Sequence, residues 1–272
     1  MVIKGYPVDI RHIFRQLWWQ YRFIREVKAT PEGAKLTLLY FSYQPDFPYL
    51  ALSIKTLMQS APRERVRQIV VAEDQKAPFS ACDISKLKDL TSPIELNIYP
   101  IYNFSWGSPD STHAEIKLFE QVAGRLENPA DMIVKCDSDV LFLPNCAKWE
   151  QLLDAPQDAF GDSHFLKYRY AQGGLYFLRK RLIDAIFPGT SIQDVRRIAT
   201  EINSVGEDMA ITEICKRNGR AMFFTRTMLF PSEYRQLKML NYYCKKEFMA
   251  LHCHKDKDNM NNIADRFITG AA

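Results

Sequence analysis

Between residues 36 and 137 the chain repeats one rhythm: a short apolar run, a polar loop, an amphipathic segment. Residues 36–41, Leu-Thr-Leu-Leu-Tyr-Phe, read as a buried strand. Residues 42–48 follow as a loop with aromatics and two prolines, and residues 49–59 read as a helix. Residues 68–72 and 94–99 read as further strands. Residues 111–126 read as a helix opening after Ser108-Pro109-Asp110, and residues 132–137 as a strand. Strands alternating with helices build parallel βαβ units with right-handed crossovers. Ligands in such sheets sit at the carboxyl ends of the strands. The loops after Phe41, Ala72 and Cys136 are therefore expected on one edge of an α/β fold.

The last of these strands runs into Asp137-Ser138-Asp139. In extended backbone, residues i and i+2 share a face. Asp137 and Asp139 then aim at one point and Ser138 turns away. Two carboxylates at the end of a buried strand are costly to desolvate. A hard divalent cation with oxygen ligands compensates. The alternative is a surface turn closing the strand, since Asp and Ser are turn residues.

The second half is less regular. Residues 165–170 look extended, and Gly173-Gly174 stand before an apolar run, as in a tight turn preceding a strand. Residues 192–202 read as a helix. Gly206-Glu207-Asp208 lead into another, closed by Asn218-Gly219. Acidic residues also favour a first helical turn for the dipole alone. Residues 221–225 and 248–251 read as strands, the second running into His252-Cys253-His254-Lys255.

With 272 residues, 47% of them hydrophobic, the chain can bury a full core. A net charge of +4 is too mild to argue for nucleic acid. Six scattered cysteines without a C-x-x-C pair fit a reducing cytosol. No signal-peptide apolar core is visible, and no stretch approaches the roughly 20 apolar residues of a membrane span. A cytoplasmic protein, soluble or peripheral at the inner face of the membrane, is expected. Residues 9–28 place Ile10, Ile13, Phe14, Leu17, Trp18, Tyr21 and Ile24 at helical spacing among five basic residues. This predicts an amphipathic helical extension over residues 1–30, ahead of one domain over residues 31–272. Such a helix packs on protein or lies on an anionic membrane surface.

Asp137/Asp139, Gly173-Gly174, Glu207-Asp208 and His252/His254 with Lys255 follow an α/β half in that order. The set resembles the nucleotide-sugar-dependent glycosyltransferases of the GT-A fold, a superfamily marked by Asp-x-Asp. The resemblance covers about residues 36–255. It implies a Rossmann-like, mostly parallel central sheet flanked by helices. It implies Mn²⁺ or Mg²⁺ held against the donor diphosphate, with Asp139 as direct ligand and Asp137 acting through water or ribose hydroxyls. His252 or His254 would complete the metal's ligands and Lys255 would touch a phosphate. Asp208 would be the catalytic base of an inverting enzyme, with Glu207 beside it raising its pKa. Gly173 and Gly174 would let backbone approach the sugar or the acceptor. By position in the fold, Tyr43 would stack on the base and Glu73 or Asp74 would bond its ring N–H. His113 and Lys117, one turn apart on a helix, would reach the phosphates. The implied partners are a nucleotide-sugar donor, a UDP-sugar favoured, and a glycan or glycolipid acceptor in cell-surface polysaccharide synthesis.

Other readings stay open. A retaining enzyme of the same fold needs no base at Asp208. Haloacid-dehalogenase-like phosphohydrolases also follow an apolar strand with Asp-x-Asp, but there the motif opens the core domain. A sugar-nucleotide pyrophosphorylase needs a glycine-rich loop after the first strand, and residues 42–48 contain no glycine. A non-catalytic GT-A-like scaffold is the non-enzymatic alternative.

Overall fold

The computed structural model describes residues 2–3, 6–7, 33–102, 107–165, 169–204, 206–220, 222–225, 227–229, 248–253 and 255–267. The expected helix over residues 9–28 and the ligand candidate His254 lie outside the described residues. After a short antiparallel pairing of Val2–Ile3 with Tyr6–Pro7, the elements run in chain order from β1 (Leu36–Ser42) through α1 (Phe47–Ser60), β2 (Val66–Asp74), α2 (Ala81–Thr91) and β3 (Glu95–Ile101). Then come α3 (Pro109–Ala123), β4 (Met132–Asp137), β5 (Val140–Phe142), α4 (Cys146–Asp154), β6 (Ala159–Phe165) and β7 (Arg169–Arg179). The remainder is α5 (Lys180–Ile186), α6 (Ile192–Ile202), α7 (Glu207–Arg217), β8 (Phe223–Phe224), β9 (Met228–Leu229), β10 (Ala250–His252) and α8 (Lys257–Phe267).

The fold is mixed α/β, with a mostly parallel central sheet and helices packed on it. The chain divides into two compact units. Unit 1 comprises Met1–Glu32, Phe104–Ile133 and Ala155–Thr225; unit 2 comprises Gly33–Asn103, Val134–Asp154 and Arg226–Ala272.

In unit 2 the strand order is β4-β1-β2-β3. Every residue of β1 is buried, Thr37 and Ser42 included, as its mostly apolar run suits a central strand. It pairs in parallel with β2, Ser42 opposite Glu73, and β2 pairs in parallel with β3. The edge strand β3 is half-exposed along its length. Helix α1 starts with Pro48 in its first turn and buries Leu50, Ile54, Leu57 and Met58 on one stripe. A small second sheet has the order β9-β10-β5. Its strand β10 lies antiparallel to β5, with Leu251 opposite Leu141 and His252 opposite Val140. Leu141, Leu143, Phe248 and Leu251 form a core beneath it with Met260, Ile263 and Ala264 of α8.

In unit 1 the order is β8-β6-β7, with β6 and β7 antiparallel and β8 parallel to β6. Helix α7 packs on β7, and α3 packs on α5 and α6. Ser108 caps α3 and Ser191 caps α6, each in a reciprocal capping box with its N3 residue. Gly173 and Gly174 lie inside the eleven-residue strand β7, where a turn ahead of a strand was expected. The strand expected over residues 221–225 is the two-residue β8.

The end of β7 is fixed by Arg179, which is fully buried. Its guanidinium donates to the carbonyls of Gln157, Ala130 and Ala155 at 2.8, 2.6 and 2.7 Å. A buried guanidinium is tolerable when its N–H groups are used in this way. Arg179→Ala should cost about 3 kcal/mol or more, because it opens a cavity and strips three carbonyls of their donors. The check is a urea titration; an unchanged midpoint would show that those carbonyls find other partners.

Candidate metal centre

In unit 2, β4 ends at Asp137 and β5 begins at Val140, so Asp139 stands at the turn between two strands. Pairing of β10 with β5 sets His252 opposite Val140, and the Cys253 N–H donates to the Asp139 carbonyl at 2.9 Å. His252 Nε2 thereby lies 3.3 Å from Asp139 Oδ1 and 3.6 Å from Asp137 Oδ2. One donor atom from each of Asp137, Asp139 and His252 falls within 4.8 Å of the others. Asp139 and His252 are buried and Asp137 is half-buried. Two carboxylates and one imidazole at this spacing fit a single divalent cation.

The outer oxygens of the two carboxylates are also engaged. Asp137 Oδ1 takes a 2.5 Å bond from the ammonium of Lys135, a fully buried side chain. Asp139 Oδ2 accepts the backbone N–H of Lys255 at 2.7 Å. Lys255 has φ of 56°, a left-handed conformation that a non-glycine residue adopts at a cost. It is pinned on both sides, since the Tyr49 hydroxyl donates to its carbonyl at 2.7 Å. Its ammonium reaches Asp46 at 2.8 Å and stands 5.4 Å from the centre of the Tyr43 ring. The Ser138 hydroxyl also bonds Asp46, at 3.3 Å.

Burial opposes charge on Asp137, but Lys135 and His252 outweigh it and hold the carboxyl well below the usual carboxylate range. Burial likewise opposes charge on His252, but its bonds to Asp137 and Asp139 push the imidazole up to about 9. Lys255 is raised in the same manner: Asp46 outweighs partial burial.

The other predicted nucleotide contacts divide. Tyr43 and Lys255 meet beside the cluster. The Glu73 carboxylate holds its own loop, accepting from Phe79 N–H at 2.7 Å and from Gln75 Nε2 at 2.6 Å. Asp74 accepts the Lys76 N–H at 3.0 Å, closing a tight turn. Asp46 and Lys135 were not anticipated. Lys135 shares the strand face of Asp137 by the same i, i+2 rule.

Unit 1 holds the remaining candidates. Glu207 and Asp208 open α7. Asp208 Oδ2 accepts the Gly173 N–H at 3.1 Å, and Oδ1 accepts the Met209 N–H at 2.7 Å. A Cβ at Gly173 would stand 3.3 Å from Asp208 Oδ2, so glycine lets strand and carboxylate meet. The Gly174 N–H donates to Gln172 Oε1 at 2.6 Å. Nearby, the buried Tyr176 hydroxyl bonds the buried Glu115 carboxylate. Burial first, then the charges of Glu115, Glu207 and Asp208, hold that phenol far above its usual value. His113 and Lys117 lie on α3, and the Lys117 ammonium pairs with Glu120 at 2.8 Å.

No protein-family model matches the chain, and no curated protein matches it in sequence. Solved structures match in fold. The WbbM bifunctional glycosyltransferase aligns over 85% of this chain at 13% identity and a TM-score of 0.55; this chain spans 50% of that one. The galactosyltransferase LgtC, solved with donor and acceptor sugar analogues, aligns over 85% of this chain and 96% of its own at 12% identity and TM-score 0.55. Mouse xyloside xylosyltransferase 1 aligns over 82% and 98%, at 9% identity and TM-score 0.51. The chain has the fold of the GT-A glycosyltransferases.

The position of His252 sets a pH dependence for the cation-free protein. The folded state holds the imidazolium to about 9, against 6.5 for the free side chain. The stabilisation, about 3 kcal/mol, is fully present below pH 6.5 and is lost as pH rises through 9. Thermal unfolding in chelator should therefore show a falling melting temperature across that window, and His252→Gln should flatten it. A wild-type profile that is flat there would count against the pairing.

Proposed function

We propose that the chain is a metal-dependent glycosyltransferase. It moves a sugar from a nucleotide-sugar, a UDP-sugar favoured, to a hydroxyl of a glycan or glycolipid. The observation that carries this is the convergence of Asp137, Asp139 and His252 after the β4 strand of a GT-A fold. The three donors would hold Mn²⁺ or Mg²⁺. Such an ion supplies Lewis-acid stabilisation of the charge that grows on the departing diphosphate.

The chain's own residues do the rest. Tyr43 stacks on the nucleotide base, and the Lys255 ammonium beside it meets a phosphate. Asp208 takes the acceptor hydroxyl's proton on a carboxylate oxygen, and Glu207 next to it favours proton uptake. Gly173 holds Asp208 in place through its N–H. Direct displacement with inversion follows from that base. Retention has an observation of its own: both Asp208 oxygens already accept backbone N–H bonds, as suits an acid with a structural role. The setting we assign is cell-surface polysaccharide synthesis on the cytoplasmic side, with residues 9–28 as a membrane-surface contact. Among the described residues no helix is long and apolar enough to cross a membrane.

A panel of nucleotide sugars with Mn²⁺ or Mg²⁺ tests the assignment through nucleoside diphosphate release. Asp139→Ala should lose metal-dependent transfer while its circular dichroism stays native; near-normal transfer would remove the metal assignment. Asp208→Asn should still bind donor but lose about 10²- to 10⁴-fold in transfer. NMR of the anomeric product decides between the two stereochemical readings: an inverted product with an inactive Asp208→Asn supports the base, and a retained product overturns it.

A further inference from the structure

Lys135 has no role in the reading above, yet it is among the largest fully buried side chains of the described residues. A buried lysine is uncommon and needs a partner. Lys135 sits two residues before Asp137 on β4, on the same strand face, and its ammonium bonds Asp137 Oδ1 at 2.5 Å. The oxygen left toward His252 is Oδ2. Asp139 is treated likewise, because the Lys255 N–H occupies its Oδ2 and Oδ1 faces His252. Each carboxylate thus has one oxygen tied to a fixed donor and one turned into the cluster.

We propose that Lys135 fixes Asp137 as a one-oxygen ligand and so sets the cation preference of the site. This rests on the metal-binding reading of Asp137, Asp139 and His252. Calcium takes six to eight oxygens at long distances and uses carboxylates in two-oxygen fashion to fill its shell. Magnesium and manganese suit a tighter set of single-oxygen carboxylate ligands. A donor held on Oδ1 takes up one of its lone pairs and turns the carboxylate toward it, which disfavours two-oxygen binding of an ion. The Lys255 amide does the same at Asp139 but is backbone, so Lys135 is the side chain through which preference can be altered. Its charge also lowers the attraction of the cluster for a further cation, leaving geometry to decide which ion enters.

The test uses the full chain and needs no sugar transfer. Binding of Mn²⁺ is followed by the loss of the free-ion electron paramagnetic resonance signal, with Ca²⁺ as competitor. Replacing Lys135 by methionine (Lys135→Met) should improve Ca²⁺ relative to Mn²⁺ by about tenfold, the usual scale for a partner that orients a ligand. Lys135→Arg, which keeps a charged donor, should stay near the wild-type ratio. A folded Lys135→Met with an unchanged ratio would overturn the proposal, since a purely structural lysine does not move that ratio. If the variant does not fold, infrared difference spectra of the wild-type chain on adding Mn²⁺ decide. Single-oxygen carboxylate bands support the proposal and two-oxygen bands overturn it. Wild type that binds no Mn²⁺ removes the metal reading and this inference together. Binding that Asp139→Ala abolishes, with a ratio insensitive to Lys135→Met, removes this inference alone.

Discussion

Two carboxylates separated by a single serine repel one another, and burial multiplies that repulsion. The surroundings of Asp137 and Asp139 are arranged to offset it. Lys135 approaches along the same strand, His252 crosses from β10, and the backbone of Lys255 covers the far side of Asp139. Lys135 is local, but His252 and Lys255 come from one segment far along the chain. The small sheet of β5, β9 and β10 and the core under α8 set their register. A slip of one residue between β10 and β5 would turn His252 to the opposite face and leave both acids without it.

The parallel half of the fold was legible because its strands are mostly apolar runs with loops between them. Residues 36–41, 68–72 and 132–137 all emerged as strands, lengthened by a residue or two where the ladder continues into polar sequence such as Glu73-Asp74. Residues 192–202 and the segment between Gly206 and Asn218-Gly219 read as helices and are α6 and α7. Helix α8 was not legible: among its described side chains Met260, Ile263 and Ala264 form the buried stripe, and it has meaning only against Leu141 and Leu251. Strand β5 has three residues, too few for a periodicity to register.

The acidic centre was partly legible for the same reason. The i, i+2 rule places Lys135 with Asp137 on β4, whereas Asp139 lies past the strand, in the turn before β5, and meets Asp137 there instead of along extended backbone. His252 required a strand pairing that no local pattern reveals. The glycine pair shows the limit from the other side. Its close approach was expected toward a ligand, whereas the observed neighbour of Gly173 is the carboxylate of Asp208. Glu73, expected to read a base, accepts bonds that hold its own loop. A carboxylate after a parallel strand can serve a ligand or the loop, and composition does not separate the two.

Lys255 and Asp139 stand 116 residues apart in sequence and meet where the Lys255 backbone N–H donates to the Asp139 carboxylate. A cation shared by Asp137, Asp139 and His252 would join the same two distant segments. It would act as a clamp as well as a reagent, because an ion that binds only where the folded chain brings the three donors together stabilises that state by mass action. The final strand and helix would then be the part of the chain whose persistence depends most on cation supply. Loss of the ion would loosen that end first, while the β1-β2-β3 ladder kept its own bonds.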